Sequence, residues 1–210
     1  MGYFPLFIQL EGKTALIVGG GKTALGKARR LEPYGVSLKV IAPTILPELA
    51  ALPHVASEAR PFVPEDLDEE VVFVVAATDS REVNHTVALL CRERKIPVNV
   101  VDTPEDCGFL FPALVQRGPL SIGISTGGAS PGGARRIKDE IDRMLPANLG
   151  DVFSWLEQAR PGIKARVPSE AQRKTVFERL YARCAALGRP LTEAEAEAEV
   201  EAVLSETLQS

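Results

Sequence analysis

Leu16-Ile17-Val18-Gly19-Gly20-Gly21-Lys22-Thr23-Ala24 decides the fold of this 210-residue chain. The apolar run Thr14 to Val18 reads as a buried strand, because strands of a parallel sheet are covered on both faces. Three glycines break it, and a helix follows to about Tyr34 with Ala24, Leu25, Ala28 and Leu31 on one face. Gly19-x-Gly21-x-x-Ala24 has the spacing of a dinucleotide-binding turn. The first glycine makes the tight bend, the second lets backbone amides approach a pyrophosphate, and the small third residue lets helix pack on strand. The helix N-terminus adds unpaired N–H groups and a partial positive charge. The Thr23 hydroxyl and the amides of Lys22 and Thr23 are expected at the pyrophosphate. A glycine turn used only for packing is the plainer alternative, and the βαβ context weighs against it.

The same stretch nearly spells a triphosphate loop. Gly21-x-x-x-x-Gly26-Lys27 has the glycine–lysine spacing, but Ala28 stands where the magnesium-binding Ser or Thr belongs. The other frame would need a glycine at Leu16. Triphosphate hydrolysis is therefore not expected. The acidic residue that usually ends the second strand is also missing. That strand, Val36 to Ile41, runs into Ala42-Pro43-Thr44, so backbone groups and the Thr44 hydroxyl are expected to hold the ribose. No arginine stands there for a 2′-phosphate, which favours NAD over NADP.

Further strands read at Val55 to Arg60, Val71 to Ala76 and Pro97 to Val101, with helices around Leu46 to Leu52 and after Asp79. Gly35 is placed to close the first helix in a left-handed conformation. Asp79 with Glu82 reads as a capping box for the helix after Ala76. Short loops and β-α-β order predict an open parallel sheet with helices on both faces. The pattern then changes. Phe109 to Val115 and Leu120 to Ser125 read as a hairpin. The glycine-rich Ser125 to Gly133 opens a helix, Ala134 to Leu145, with Ile137, Ile141, Met144 and Leu145 at core spacing. Beyond Pro146 the chain reads helical: Leu149 to Gln158, Ser169 to Leu187 and Glu193 to Leu208, broken at Pro161-Gly162 and Gly188-Arg189-Pro190. The predicted organisation is a Rossmann-like domain over 1–113, a small mixed segment over 114–146 and a helical domain over 147–210.

Composition sets the bounds. With 45% hydrophobic and 25% charged residues the chain can cover the entropy of ordering a core. Its longest apolar stretch, Val71 to Ala77, is far short of the ~20 residues that span a bilayer. The N-terminus has no basic flank or cleavage site of a signal peptide, and Leu6 stands where a myristoylation signal needs Ser or Thr. Three cysteines at unpaired spacings (Cys91, Cys107, Cys184) suggest a reducing, cytoplasmic compartment. His54 and His85 are too few and too far apart for a metal site. The net charge of −4 is uneven: Leu191 to Ser210 carries six Glu and no Lys or Arg, leaving 22 acidic against 24 basic residues in the body. That balance suits an anionic small ligand and does not amount to a nucleic-acid footprint.

Several motifs then fall in register: Phe4-Pro5-Leu6-Phe7-Ile8, the triple-glycine turn, and Lys27-Ala28-Arg29. Ala76-Ala77-Thr78-Asp79 with Val83-Asn84, and Asn99-Val100-Val101-Asp102, continue the series. Phe109 with Pro112, and Ser125-Thr126-Gly127-Gly128-Ala129-Ser130-Pro131 with Ala134-Arg135, complete it. Together they resemble the precorrin-2 dehydrogenase and sirohydrochlorin ferrochelatase family, the NAD-dependent module of siroheme synthases, over about the first 145 residues. Gly26, Thr126 and Gly132-Gly133 depart from its pattern. The resemblance implies NAD-dependent oxidation of precorrin-2 to sirohydrochlorin, with a hydride leaving a ring-bridging carbon and a proton going to a base.

Thr78-Asp79 and Asp102 both follow carboxyl ends of strands, where open parallel sheets bind ligands. By local pattern Asp79 reads as a cap and Asp102 as a turn residue; the resemblance assigns Asp102 to catalysis. Gly19, Gly21, Lys22, Thr23, Pro43, Thr44 and Thr78 are the candidate cofactor residues. The substrate carries eight carboxylates, so Ser125, Thr126, Gly127 and Gly128 are read as an amide cradle and Arg135 as a cation for them. The basic run Arg160, Lys164, Arg166, Arg173 and Lys174, and the glutamate-rich tail, read as solvated faces. Two alternatives remain: an enzyme that also inserts Fe²⁺ into the product, and a non-catalytic NAD-binding sensor or scaffold. A homodimer built on the 114–146 segment is expected.

Overall fold

Strand β1 (Thr14–Val18) is the centre of a five-stranded sheet. The computed structural model describes residues 3–207, so the readings of Met1-Gly2 and of Leu208 fall outside it. Strands β2 (Ser37–Ile41), β3 (Val55–Glu58), β4 (Val71–Ala76) and β5 (Val98–Val100) complete the sheet in the order β3-β2-β1-β4-β5, all parallel. Along β1, Ala15 and Ile17 face one side while Leu16 and Val18 face the other, and all four are buried. Helix α1 (Lys22–Leu31) lays Ala24, Ala28 and Leu31 on the first face; α3 (Arg81–Glu93), which follows the short α2 (Pro47–Ala50), lays Val87, Ala88 and Cys91 on the second. Two covered faces explain why β1 and β4 are continuously apolar instead of alternating. Helix α1 stops at Leu31, three residues before the sequence reading, because Pro33 turns its end into a 3₁₀ turn closed by Gly35 at φ 65°.

The β3 edge is fastened by a buried carboxylate. Asp66 accepts two hydrogen bonds from Arg60 (2.5 and 2.8 Å) and one from the Val63 amide (2.9 Å), with Lys39 at 3.5 Å. The Arg60 guanidinium, foremost, holds the Asp66 carboxyl below its usual range. A depressed folded-state pKa gives stability that is present above the unfolded value, about 3.9, and lost as pH falls through the folded value. Asp66→Asn should therefore cost about 2 kcal/mol at pH 7. The melting gap to the parent should begin to narrow below about pH 4 and close only once pH falls through the lowered folded value, where protonated Asp and Asn match in charge and shape. A gap that stays constant from pH 7 to pH 3 would remove the electrostatic account.

The chain divides into two compact units between Phe111 and Pro112. The second opens with an antiparallel hairpin, β6 (Ala113–Arg117) and β7 (Leu120–Ile124), turned by Gly118-Pro119 with Gly118 at φ 52°. Helix α4 (Pro131–Met144) follows, capped by the Ser130 hydroxyl. Of its expected core residues Ile137 and Met144 are instead exposed, at 44% and 81%, because this helix finds no apolar partner on that face among the described residues. Helices α5 (Leu149–Arg166), α6 (Glu170–Leu187) and α7 (Glu193–Thr207) form a separate core around Val152, Leu156, Ile163, Val176, Leu180 and Val200. The break expected at Pro161-Gly162 is absent. Proline inside a helix costs about 3 kcal/mol, but Leu156 before it and Ile163 after it bury on the same core and carry α5 through. Four tail glutamates are paired, half-buried Glu195 with Arg189, and exposed Glu197 and Glu201 with Arg166 and Glu206 with Arg179.

Candidate active site

At the open end of the sheet the chain reverses its winding between β1 and β4, and the glycine turn lies at that crossing. Gly19 donates to Ile41 O (2.9 Å), while Ala77 donates to Val18 O (2.8 Å). Gly19 has φ 132°, and a Cβ there would stand 2.3 Å from Ala77 O. Gly20 is equally confined, its Cβ position 2.1 Å from Thr44 O, and its carbonyl accepts from Leu46 N (2.9 Å). Gly21 differs: nothing lies within 4 Å of its Cβ position. Two glycines are thus spent on packing the turn against its neighbours, and the third opens onto space. Ala24, buried beneath, completes the strand–helix contact.

That space is a cleft of about 370 Å³. Gly20 to Thr23 form one wall, Ala42, Pro43, Thr44 and Leu46 the second, and Ala77, Thr78 and Asp79 the third. The N-terminus of α1 faces it with Gly21 as N-cap, no capping side chain and no acidic residue in its first turn. Its N–H groups are free for an anion, and the helix dipole favours one there. Lys27 does not serve the cleft. Its ammonium donates to Asn99 Oδ1 (3.2 Å) and lies 4.0 Å over the Phe111 ring, and burial, then Arg30, holds it below the usual lysine range. The triphosphate reading fails in space as it did in spacing.

The exit of β4 is locked by Asn84, which is buried on α3. It accepts from Thr78 N (3.1 Å) and Thr78 Oγ1 (2.8 Å) and donates to Thr78 O (3.0 Å). The cap of α3 is Ser80, whose hydroxyl accepts from Val83 N (3.3 Å), and not Asp79 as the sequence suggested. Ser80 is better placed because Thr78, held by Asn84, delays the helix start by one residue. Asp79 is thereby free of capping and lines the cleft.

Asp102 follows β5 with φ 58°, one of three non-glycine residues in the left-handed region among the described residues. The last bond of its strand runs from Val101 N to Ala76 O (3.0 Å), so Asp102 stands beside the exit that carries Ala77 and Thr78. The carboxylate is exposed and has no hydrogen bond or ion pair among the described residues. Below it, Cys107 Sγ lies 3.2 Å from both Val100 N and Val100 O, and Asn99 donates to Phe109 O (3.0 Å). Burial pushes the thiols up, Cys91 to about 11 and Cys107 likewise in direction, so both are structural protonated groups.

In the second unit the Ser125 to Ser130 loop is exposed except for half-buried Thr126, and it is knitted locally. Ser125 Oγ accepts from Gly127 N (3.1 Å) and Thr126 Oγ1 from Ser130 N (3.0 Å), while Gly127 and Gly128 adopt φ 62° and 91°. Arg135 is exposed on the first turn of α4. Gly21, Lys22, Thr23, Pro43, Thr44 and Thr78 therefore meet in one cleft, with Gly19 buried behind it. Gly20, Ala42, Leu46, Ala77 and Asp79 share its lining but were not among the expected residues. The unbroken run of three glycines was the signal for Gly20; nothing local marks Leu46, which arrives through the β2–α2 loop.

Comparison with known proteins places these features. A family described as "Putative NAD(P)-binding" matches residues 6–113, and one described as "Sirohaem biosynthesis protein central" matches residues 117–144. A siroheme synthase of Thioalkalivibrio sulfidiphilus is 42% identical over 184 residues, covering 86% of this chain and 37% of that protein. One of Stutzerimonas stutzeri is 41% identical, covering 86% and 39%. The chain thus spans less than two-fifths of the length of these relatives. Among solved structures a precorrin-2 dehydrogenase superposes with a TM-score of 0.71 over 97% of this chain and 100% of that one, at 24% identity. That likeness bears on the fold. No helix among the described residues is long and apolar enough to cross a membrane.

Proposed function

Since the chain belongs to the NAD(P)-binding family that its residues 6–113 match, we propose that it is an NAD-dependent dehydrogenase that oxidises precorrin-2 to sirohydrochlorin. The observation that carries the reading is the uncapped, acid-free N-terminus of α1 opening onto the cleft where the sheet reverses. The siroheme-synthase relatives supply the substrate class. Gly21, Lys22 and Thr23 hold the diphosphate through their amides and the Thr23 hydroxyl, with Gly19 shaping the bend. Pro43 and Thr44 bound the ribose. The absence of an acidic residue at the end of β2 leaves ribose binding to backbone and hydroxyl. Arg60, after the neighbouring strand, is tied to Glu58 and Asp66 and gives nothing to a 2′-phosphate, which supports NAD over NADP.

A dinucleotide held in the cleft would supply the hydride acceptor. The chain's own part is to orient and to take the proton. Thr78, fixed by Asn84, forms the wall beside the redox end of the cleft. Asp102, with its acceptor oxygens unspent, takes the proton released from the tetrapyrrole or holds the water that does. Ser125, Thr126, Gly127, Gly128 and Arg135 bind substrate carboxylates through amides, hydroxyls and charge. The exposed Ile137 and Met144 of α4 support a homodimer, and the free Cys91, Cys107 and Cys184 fit a reducing, cytoplasmic setting.

The test is direct. Purified chain given precorrin-2 and oxidised dinucleotide should generate the sirohydrochlorin spectrum with NAD at least tenfold more efficiently than with NADP, at twice the 22.6 kDa chain mass by light scattering. Added Fe²⁺ examines the chelatase alternative in the same cuvette. Dinucleotide binding by calorimetry without any spectral change would leave only a sensor or scaffold.

A further inference from the structure

Asn84 and His85 are consecutive on α3, yet each reaches the exit of a different strand. Asn84 fixes Thr78, as above. His85 Nδ1 lies 2.8 Å from Asp106 Oδ2, in the loop after β5. The Asp106 side chain is only 8% exposed although it carries a carboxylate, and Arg92, also on α3, stands 3.8 Å from its other oxygen. A carboxylate only accepts, so Nδ1 carries the shared proton. Asp106 N in turn donates to Thr103 O (3.1 Å) and Cys107 N to Pro104 O (3.2 Å), closing a turn directly after Asp102. Asp102 itself holds a backbone conformation that L-residues rarely adopt, which persists only where the surroundings enforce it. One turn of α3 thus reaches the Thr78 wall of the cleft and the loop after β5 beside it.

We propose that His85 and Asp106 are a positioning pair: they anchor the loop that carries Asp102 and so set its carboxylate beside Thr78. The proposal rests on the dehydrogenase reading above and adds to it residues that touch neither substrate nor dinucleotide. A misplacement of about 1 Å at a reacting group can cost up to about a hundredfold in rate.

His85 is 56% exposed at its side chain, so its variants should fold. His85→Ala should lower kcat about tenfold while calorimetric NAD affinity and the melting midpoint stay near the parent's. Hydrogen exchange at the Asp106 and Cys107 amides should quicken about tenfold. His85→Asn, whose amide nitrogen can take the place of Nδ1, should restore both. Placed on Asp102→Asn, His85→Ala should have almost no further effect on rate, because its action runs through that carboxylate. Parent-like turnover or parent-like exchange in His85→Ala, failure of His85→Asn to restore them, or a full tenfold loss on the Asp102→Asn background would each overturn the pair's role. A parent chain that leaves precorrin-2 unchanged would instead overturn the dehydrogenase reading, and this proposal with it.

Discussion

Asp102→Asn should lower the rate of precorrin-2 oxidation by about 10²- to 10⁴-fold, the usual loss when a general base is removed, with NAD affinity and melting temperature unchanged. Asparagine is the informative replacement. The residue stands at φ 58°, and Asn is the other side chain that tolerates this region through local hydrogen bonding. Alanine would confound the result by adding a backbone cost of about 1 kcal/mol to the loss of the carboxylate. The unshared state of the carboxylate is what makes the expected loss chemical: no hydrogen bond or ion pair among the described residues depends on it. Full-rate turnover by Asp102→Asn would move the proton to another group, for which Asp79, free of its capping role and lining the glycine-turn cleft, is the next candidate.

How much of this was legible beforehand follows from range. The dinucleotide turn was readable because its requirements are local: a bend, room for a phosphate and a small residue under the helix fall within six positions. So was the sheet, since β4 is apolar over every residue and β1 over all but Thr14, and only a doubly covered strand needs that. What the sequence hid is set by contacts distant along the chain. Ser80 caps α3 because Thr78 is held by Asn84, and capping-box spacing at Asp79 and Glu82 carries no trace of that. Helix α5 runs through Pro161 because Leu156 and Ile163 share a core with α6 and α7, which local propensity cannot register. His85 entered the sequence reading as one of two histidines too far apart to hold a metal; its partner Asp106 lies 21 residues on. The α4 pattern failed in the opposite sense. Ile137 and Met144 have core spacing, and nothing among the described residues buries them.

The three glycines, alike in sequence, should give three different outcomes. Gly20→Ala places a methyl 2.1 Å from Thr44 O and 2.8 Å from Ile45 Cα, both backbone atoms that cannot rotate aside. The turn and the β2–α2 loop must part, and the Leu46 N to Gly20 O bond goes with them. A loss of about 3 kcal/mol is expected from such overpacking, and NAD binding should be abolished because two walls of the cleft move. Gly19→Ala should be at least as harmful, since its methyl meets Ala77 O at 2.3 Å and its φ of 132° is closed to alanine. Gly21→Ala has φ −89° and open space around the new methyl, so melting should change by less than about 1 kcal/mol. The space it fills is the one assigned to the phosphates. Its NAD affinity should fall at least tenfold, about 1.4 kcal/mol, while the fold stands. Calorimetry and thermal melting on the three variants separate packing from binding. A Gly21→Ala chain that binds NAD as the parent does would show that the diphosphate does not lie at the start of α1.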